Sequence, residues 1–130
     1  MNVASLELCK ELYELSGWGM EVPPAAYRFW YWIEAHGEYN LDDGDLMSED
    51  HPPFPAYDLG YLLRKLPKLV DGAGLLMQFD GSDDDGWCIY YEEQPVKYKA
   101  FYFDAAEDAA ASLAVQLFKQ GILTREAKAA

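Results

Sequence analysis

Two apolar runs, Gly74-Leu75-Leu76-Met77-Gln78-Phe79 and Trp87-Cys88-Ile89-Tyr90-Tyr91-Glu92, flank the turn-rich stretch Asp80-Gly81-Ser82-Asp83-Asp84-Asp85-Gly86. Strand-forming residues on either side of such a stretch specify a β-hairpin with an acidic loop. An isolated hairpin is marginal in water, so the rest of the chain has to supply further strands and covering helices. The segment Tyr98-Lys99-Ala100-Phe101-Tyr102-Phe103 reads as the next strand of a meander. It runs into Asp104-Ala105-Ala106-Glu107, where an N-cap aspartate with glutamate three residues on imitates a capping box. The helix that follows carries Ala109, Ala110, Leu113, Ala114, Leu117 and Phe118 at helical spacing and stops at Gly121, after which Ile122 and Leu123 are expected to pack back and residues 124–130 to fray.

Earlier in the chain, Leu8, Cys9, Leu12 and Leu15 define an amphipathic helix over residues 3–16, with Gly17 as its stop. Residues 26–34 are dense in aromatic side chains, with a possible two-residue alternation that favours a strand either covered on both faces or presenting one aromatic face to a partner. Between residues 35 and 55, glycines, prolines and acids break every period, which predicts an irregular acidic loop. Ala56 to Leu66 return to helical spacing, with Asp58 as candidate cap and Pro67 as terminator. The expected order is therefore α-β-α-β-β-β-α in one domain. Its fold class is α+β, an antiparallel sheet of about four strands covered by helices.

The 130 residues suffice for one core without disulfide staples. Cys9 and Cys88 form no disulfide framework and read as reduced core thiols. The first residues have no basic region and interrupt their apolar positions with Glu7, Lys10, Glu11 and Glu14, unlike a signal peptide. No apolar run approaches the roughly 18 residues that span a bilayer, so a soluble, cytoplasmic protein with no membrane partner is expected.

Charge narrows function more than any motif does. Twenty-three acids against ten bases give a net charge of −13, which disfavours direct binding to nucleic acid or anionic lipid and favours a basic protein surface. No Lys or Arg occurs between Arg28 and Arg64 or between Lys68 and Lys97, and acids accumulate in both gaps. If the two stretches converge, Asp42, Asp43, Asp45, Glu49, Asp50, Asp83, Asp84 and Asp85 form a carboxylate array able to occupy a basic groove. Trp30 and Trp32 are of the residue types most enriched at binding hot spots and complete the candidate contacts.

No catalytic residue, cofactor or metal is assigned. Asp83, Asp85, Gly86 and Glu92 fall in an EF-hand frame, but its first ligand position would be Gly81 and its flanks read as strands, so a solvated turn is preferred. His36, His51, Cys9 and Cys88 lack the short spacings of a zinc site. No nucleophile elbow, phosphate loop or dinucleotide fingerprint is present.

The stretches Pro55-Ala56-Tyr57-Asp58-Leu59-Gly60-Tyr61-Leu62-Leu63-Arg64-Lys65-Leu66-Pro67 and residues 103–123, with the tryptophan-bearing hairpin between them, resemble small uncharacterised phage and prophage proteins grouped as phage ABA-sandwich domains. The resemblance covers roughly residues 55–123. It implies an α/β/α-like layering and an origin in a mobile element, and transfers no catalytic residue. With the charge, it suggests a phage- or prophage-encoded protein in the bacterial host cytoplasm that occludes a basic, nucleic-acid-binding surface of a host nuclease or defence complex. The alternatives are a structural phage protein self-associating through its aromatic sheet and a small metal-dependent hydrolase.

Overall fold

The computed structural model describes residues 3–18, 28–33, 37–41, 54–81 and 86–125. Helix α1 (Leu6–Ser16) starts where the Ser5 hydroxyl accepts the Leu8 N–H and ends at Gly17, whose φ of 70° is the left-handed conformation that closes a helix. Strand β1 (Arg28–Ile33) pairs antiparallel with β2 (Glu38–Asn40) over its second half and with β3 (Phe54–Ala56) over its first. Helix α2 (Leu59–Lys65) is capped by the Asp58 carboxylate, which accepts the Tyr61 N–H at 2.8 Å, and gives way to extended backbone at Leu66 ahead of Pro67. Strands β4 (Leu69–Val70), β5 (Ala73–Asp80), β6 (Gly86–Tyr91) and β7 (Lys99–Phe103) form an antiparallel sheet in that order, and α3 (Ala106–Lys119) follows.

The α+β class and the four-stranded antiparallel sheet stand as read from the sequence, but the membership of that sheet does not. The aromatic strand was expected beside the meander; it is instead the centre of a separate three-stranded sheet ordered β2-β1-β3. The fourth strand of the main sheet is β4, two residues whose carbonyl neighbour Lys68 accepts the Leu75 N–H at 3.1 Å. The stretch 35–55 contains β2 and the first residues of β3, so it is not irregular throughout. Strands of three residues, one carrying Pro55 at a sheet edge, are too short to show a period.

Helix α3 is the hub. Its buried residues Ala106, Ala109, Ala110, Ala111, Leu113, Ala114, Val115 and Leu117 wrap most of its circumference, because β6 and β7 lie on one side and α1 and α2 on the other. Alanine on most of these positions keeps the backbones close, while Leu113 and Leu117 each contribute about 2 kcal/mol of burial. Against it lie Cys9 and Leu12 of α1, Tyr61 and Leu62 of α2, and Ile89, Tyr91 and Ala100 of the sheet. Trp18 packs edge-on to Phe118 and Tyr61, joining the first connection to the last helix.

The capping box expected at Asp104 and Glu107 is absent: the N-cap is Ala105, with no side-chain cap bond. The Asp108 carboxylate instead accepts the Ser5 N–H at 2.6 Å, so one carboxylate serves the N-terminal ends of both long helices, where their positive dipole ends meet. At the far end Leu123 packs on the core while Ile122 stays exposed. Arg125, expected to fray, donates to the Glu14 carbonyl at 2.8 Å and so satisfies the last turn of α1. Residues 126–130 lie outside the described residues.

Candidate functional site

Asp42, Asp43, Asp45, Glu49, Asp50, Asp83, Asp84 and Asp85, the carboxylates of the expected array, lie outside the described residues, as do His36, His51 and the Trp32 side chain. Trp30 is described. It is half-buried, packs against the core, and sets its side chain beside the Cys9 sulfur, close enough to favour the thiolate, though Nε1 itself makes no hydrogen bond of regular geometry.

Cys9 and Cys88 are buried free thiols. Burial pushes the Cys9 thiol up, with a smaller push from the Asp108 charge; the Tyr57 N–H, 3.5 Å from the sulfur, and Trp30 oppose this without reversing it. Cys9 is thus held as a thiol and is a core residue, since the thiolate is the nucleophilic form. Burial likewise raises the Tyr39 phenol, and that of Tyr91 to about 12. These three shifts run away from reactivity near neutral pH. Among the described residues no three His, Cys, Asp or Glu side chains cluster to hold a metal.

A cleft of about 410 Å³ opens where the N-terminal ends of α1 and α3 meet, beside Ser5, Trp30, Leu41 and Glu107. Its polar groups are already engaged in structure: the Ser5 hydroxyl caps α1, and Asp108 holds the Ser5 N–H. What remains among the described residues is the Glu107 carboxylate and the Trp30 indole on an apolar wall, with no nucleophile and base in reach of each other.

The main sheet is where the surface departs from the ordinary. In the β5–β6 ladder Leu75 faces Tyr91, Met77 faces Ile89 and Phe79 faces Trp87, all on the side that carries α3. Phe79 nevertheless remains 55% exposed and Met77 42%, because β5 extends beyond α3, which packs on β6 and β7. The opposite side carries Leu76, Tyr90, Phe101 and Tyr102, with Tyr90 and Phe101 edge-to-face at 5.3 Å and the Lys99 ammonium 5.5 Å over Phe101. Opposite Cys88 the register slips, so that Phe101 and Tyr102 both stand against one β6 residue. Tyr102 has a φ of 63°, an outlying conformation for an aromatic residue, and marks a β-bulge. Gly86 permits it: a Cβ there would lie 2.7 Å from the Tyr102 backbone.

The sequence offers Trp30 and Trp32 as contacts should one face of the aromatic strand be open, yet among the described residues the exposed rings, Phe79, Phe101 and Tyr102, sit on β5 and β7. The signal was present in Phe79 and Tyr102, but strand exposure depends on how far α3 reaches along the sheet. Among the described residues no helix is long and apolar enough to cross a membrane. Comparison with protein-family models, curated proteins and solved structures finds no match to this chain.

Proposed function

We propose that this protein is a stoichiometric binding protein that docks its four-stranded sheet on a basic surface of another protein. The observation that carries the reading is the group of large apolar side chains left in solvent on two strands of one sheet: Leu76, Met77 and Phe79 on β5, Phe101 and Tyr102 on β7. Leu76, Phe101 and Tyr102 gather on the face turned away from α3, and exposed apolar side chains with aromatic rings among them are the mark of interaction sites. The charge of −13 sets the sign of the partner by steering basic surfaces in and acidic ones away.

The narrower form of the proposal is a phage- or prophage-encoded inhibitor that occludes the nucleic-acid-binding surface of a host nuclease or defence complex in the bacterial cytoplasm. Its support is the charge, the two acid-rich stretches at 42–50 and 83–85, and the resemblance over residues 55–123.

The test is capture from bacterial lysate on the immobilised protein, followed by calorimetric titration of the purified partner. One-to-one binding that weakens as salt rises, and weakens again in Leu76→Lys and Phe101→Lys, is expected. Binding indifferent to salt and to both substitutions, or turnover of a substrate by the isolated protein, overturns the reading.

A further inference from the structure

Antiparallel ladder bonds alternate along a strand, so one bond fixes the direction of all the others. The Gly74 carbonyl accepts the Glu92 N–H at 2.9 Å, and the β5–β6 register then runs without a slip from Leu75 to Asp80. Residues 74, 76, 78 and 80 therefore turn their backbone groups toward β6, and residues 75, 77 and 79 turn theirs to the other edge. There the Leu75 N–H is taken by the Lys68 carbonyl, and β4 ends. Met77 and Phe79 each present an N–H and a C=O to an edge that no described strand pairs, and each also presents an exposed apolar side chain.

Soluble proteins blunt such edges with lysine, proline, a bulge or a covering element. From Leu75 to Phe79 the sequence has no lysine or proline, the register has no bulge, and no element among the described residues covers the edge. It is straight for several residues, and its donors and acceptors repeat at the spacing of a β-strand, so its complement is an extended segment rather than a helix.

We infer that the open edge of β5 is a strand-addition site for an extended, Lys- or Arg-bearing segment of a partner protein, with apolar residues at alternate positions. This rests on the reading of the protein as a binding module and names the part of the sheet that makes the contact. Alternate side chains of the added strand fall on the side of Met77 and Phe79 and are apolar there. The intervening ones lie between two described carboxylates, Asp71 in the turn before β5 and Asp80 at its end, on a chain of net charge −13. The same charge disfavours a second copy of this chain, since two chains of −13 repel.

The probe is a blocked synthetic peptide of alternating lysine and valine, eight residues long, with a glutamate-valine peptide as its charge-reversed control. Amide exchange is followed residue by residue on the whole protein. The Met77 and Phe79 amides, fast in the free protein, are expected to slow with the lysine peptide only. Met77→Pro removes an outward N–H without touching the β6 ladder and should weaken binding at least about tenfold. Met77→Lys/Phe79→Lys, which keeps the backbone and repels the probe, should do the same and stands in if the proline variant does not fold.

Equal slowing by both peptides removes the charge requirement and overturns the proposal. So does slowing confined to β7, no slowing at all, or slowing that appears in the free protein as its concentration rises, the sign of a second copy. Should the lysate experiment yield a one-to-one partner that leaves Met77 and Phe79 exchanging freely, only strand addition falls and the binding reading stands.

Discussion

At the β7 border of the main sheet the Gln116 side chain lies along the strand, its Oε1 accepting the Lys99 N–H at 3.2 Å and its Nε2 donating to the Lys99 carbonyl at 2.5 Å. A few residues on, the bulge at Phe101 and Tyr102 breaks the register. The β5 border has two paired residues at its start and, afterwards, backbone that no described strand pairs. One helix side chain imitates a neighbouring strand on one side of the sheet, and nothing described does so on the other. The difference teaches that this chain guards an edge at a cost in backbone strain, at Tyr102 and Gly86, so the open edge of β5 is not explained by a lack of means.

The largest effect is expected from Gly86→Ala. The new Cβ would meet the Tyr102 backbone at 2.7 Å, and moving backbone costs more than moving a side chain. Urea unfolding should show a loss of at least about 2 kcal/mol. A loss under about 0.5 kcal/mol would mean the bulge relaxes freely and stores nothing.

Next comes the start of the β5 edge, which the Tyr91 hydroxyl helps to hold by donating to the Pro67 carbonyl at 2.6 Å, just ahead of β4. Burial raises this phenol from 10 to about 12. From pH 10 upward the unfolded chain loses a proton that the native state keeps. Tyr91 therefore contributes its full stability below pH 10 and loses it as pH climbs through about 12, on the order of 2 kcal/mol in all. Urea midpoints at pH 9 and pH 11.5 should separate the wild type from Tyr91→Phe, which lacks this slope. Parallel slopes would detach Tyr91 from the edge.

Gln116→Ala should cost about 1 kcal/mol and speed exchange of the Lys99 amide, turning the guarded edge into a second open one. If Lys99 exchange is unchanged, the bulge alone protects β7. Met77→Lys is the smallest, within about 0.5 kcal/mol by thermal unfolding, because that side chain is exposed and a lysine stem can keep its apolar contacts while the ammonium reaches water. A larger loss would show that β5 already leans on something there.

Much of the fold was legible because its signals are local. Gly17 and Pro67 end helices through their own backbone chemistry, Asp58 begins one through its side-chain carboxylate, and the hairpin of 74–92 announces itself by its turn. The misread capping box shows the limit: Asp104 and Glu107 have the right spacing, but Asp108 binds Ser5 from 103 residues away, and no local pattern encodes that. The three-residue strands β2 and β3 carry no period, so the aromatic strand was paired with the wrong neighbours. The candidate surface was legible only as composition. Which backbone groups of β5 face outward follows from the bond between Gly74 and Glu92, a fact of pairing and not of sequence.

The position of α3 has a consequence for the order of synthesis. Helices α1 and α2 and strands β6 and β7 all lean on it, and it follows all of them along the chain. While a ribosome works through the earlier segments, α1, α2, β6 and β7 lack the surface that buries them together, and the contacts joining the two helices to the main sheet wait for Ala106 to Lys119 to emerge. Until then the nascent chain shows both edges of its meander to the cell. Gln116, the residue that closes one of them, arrives near the end of the helix that completes the core, so edge protection and final collapse come as one event.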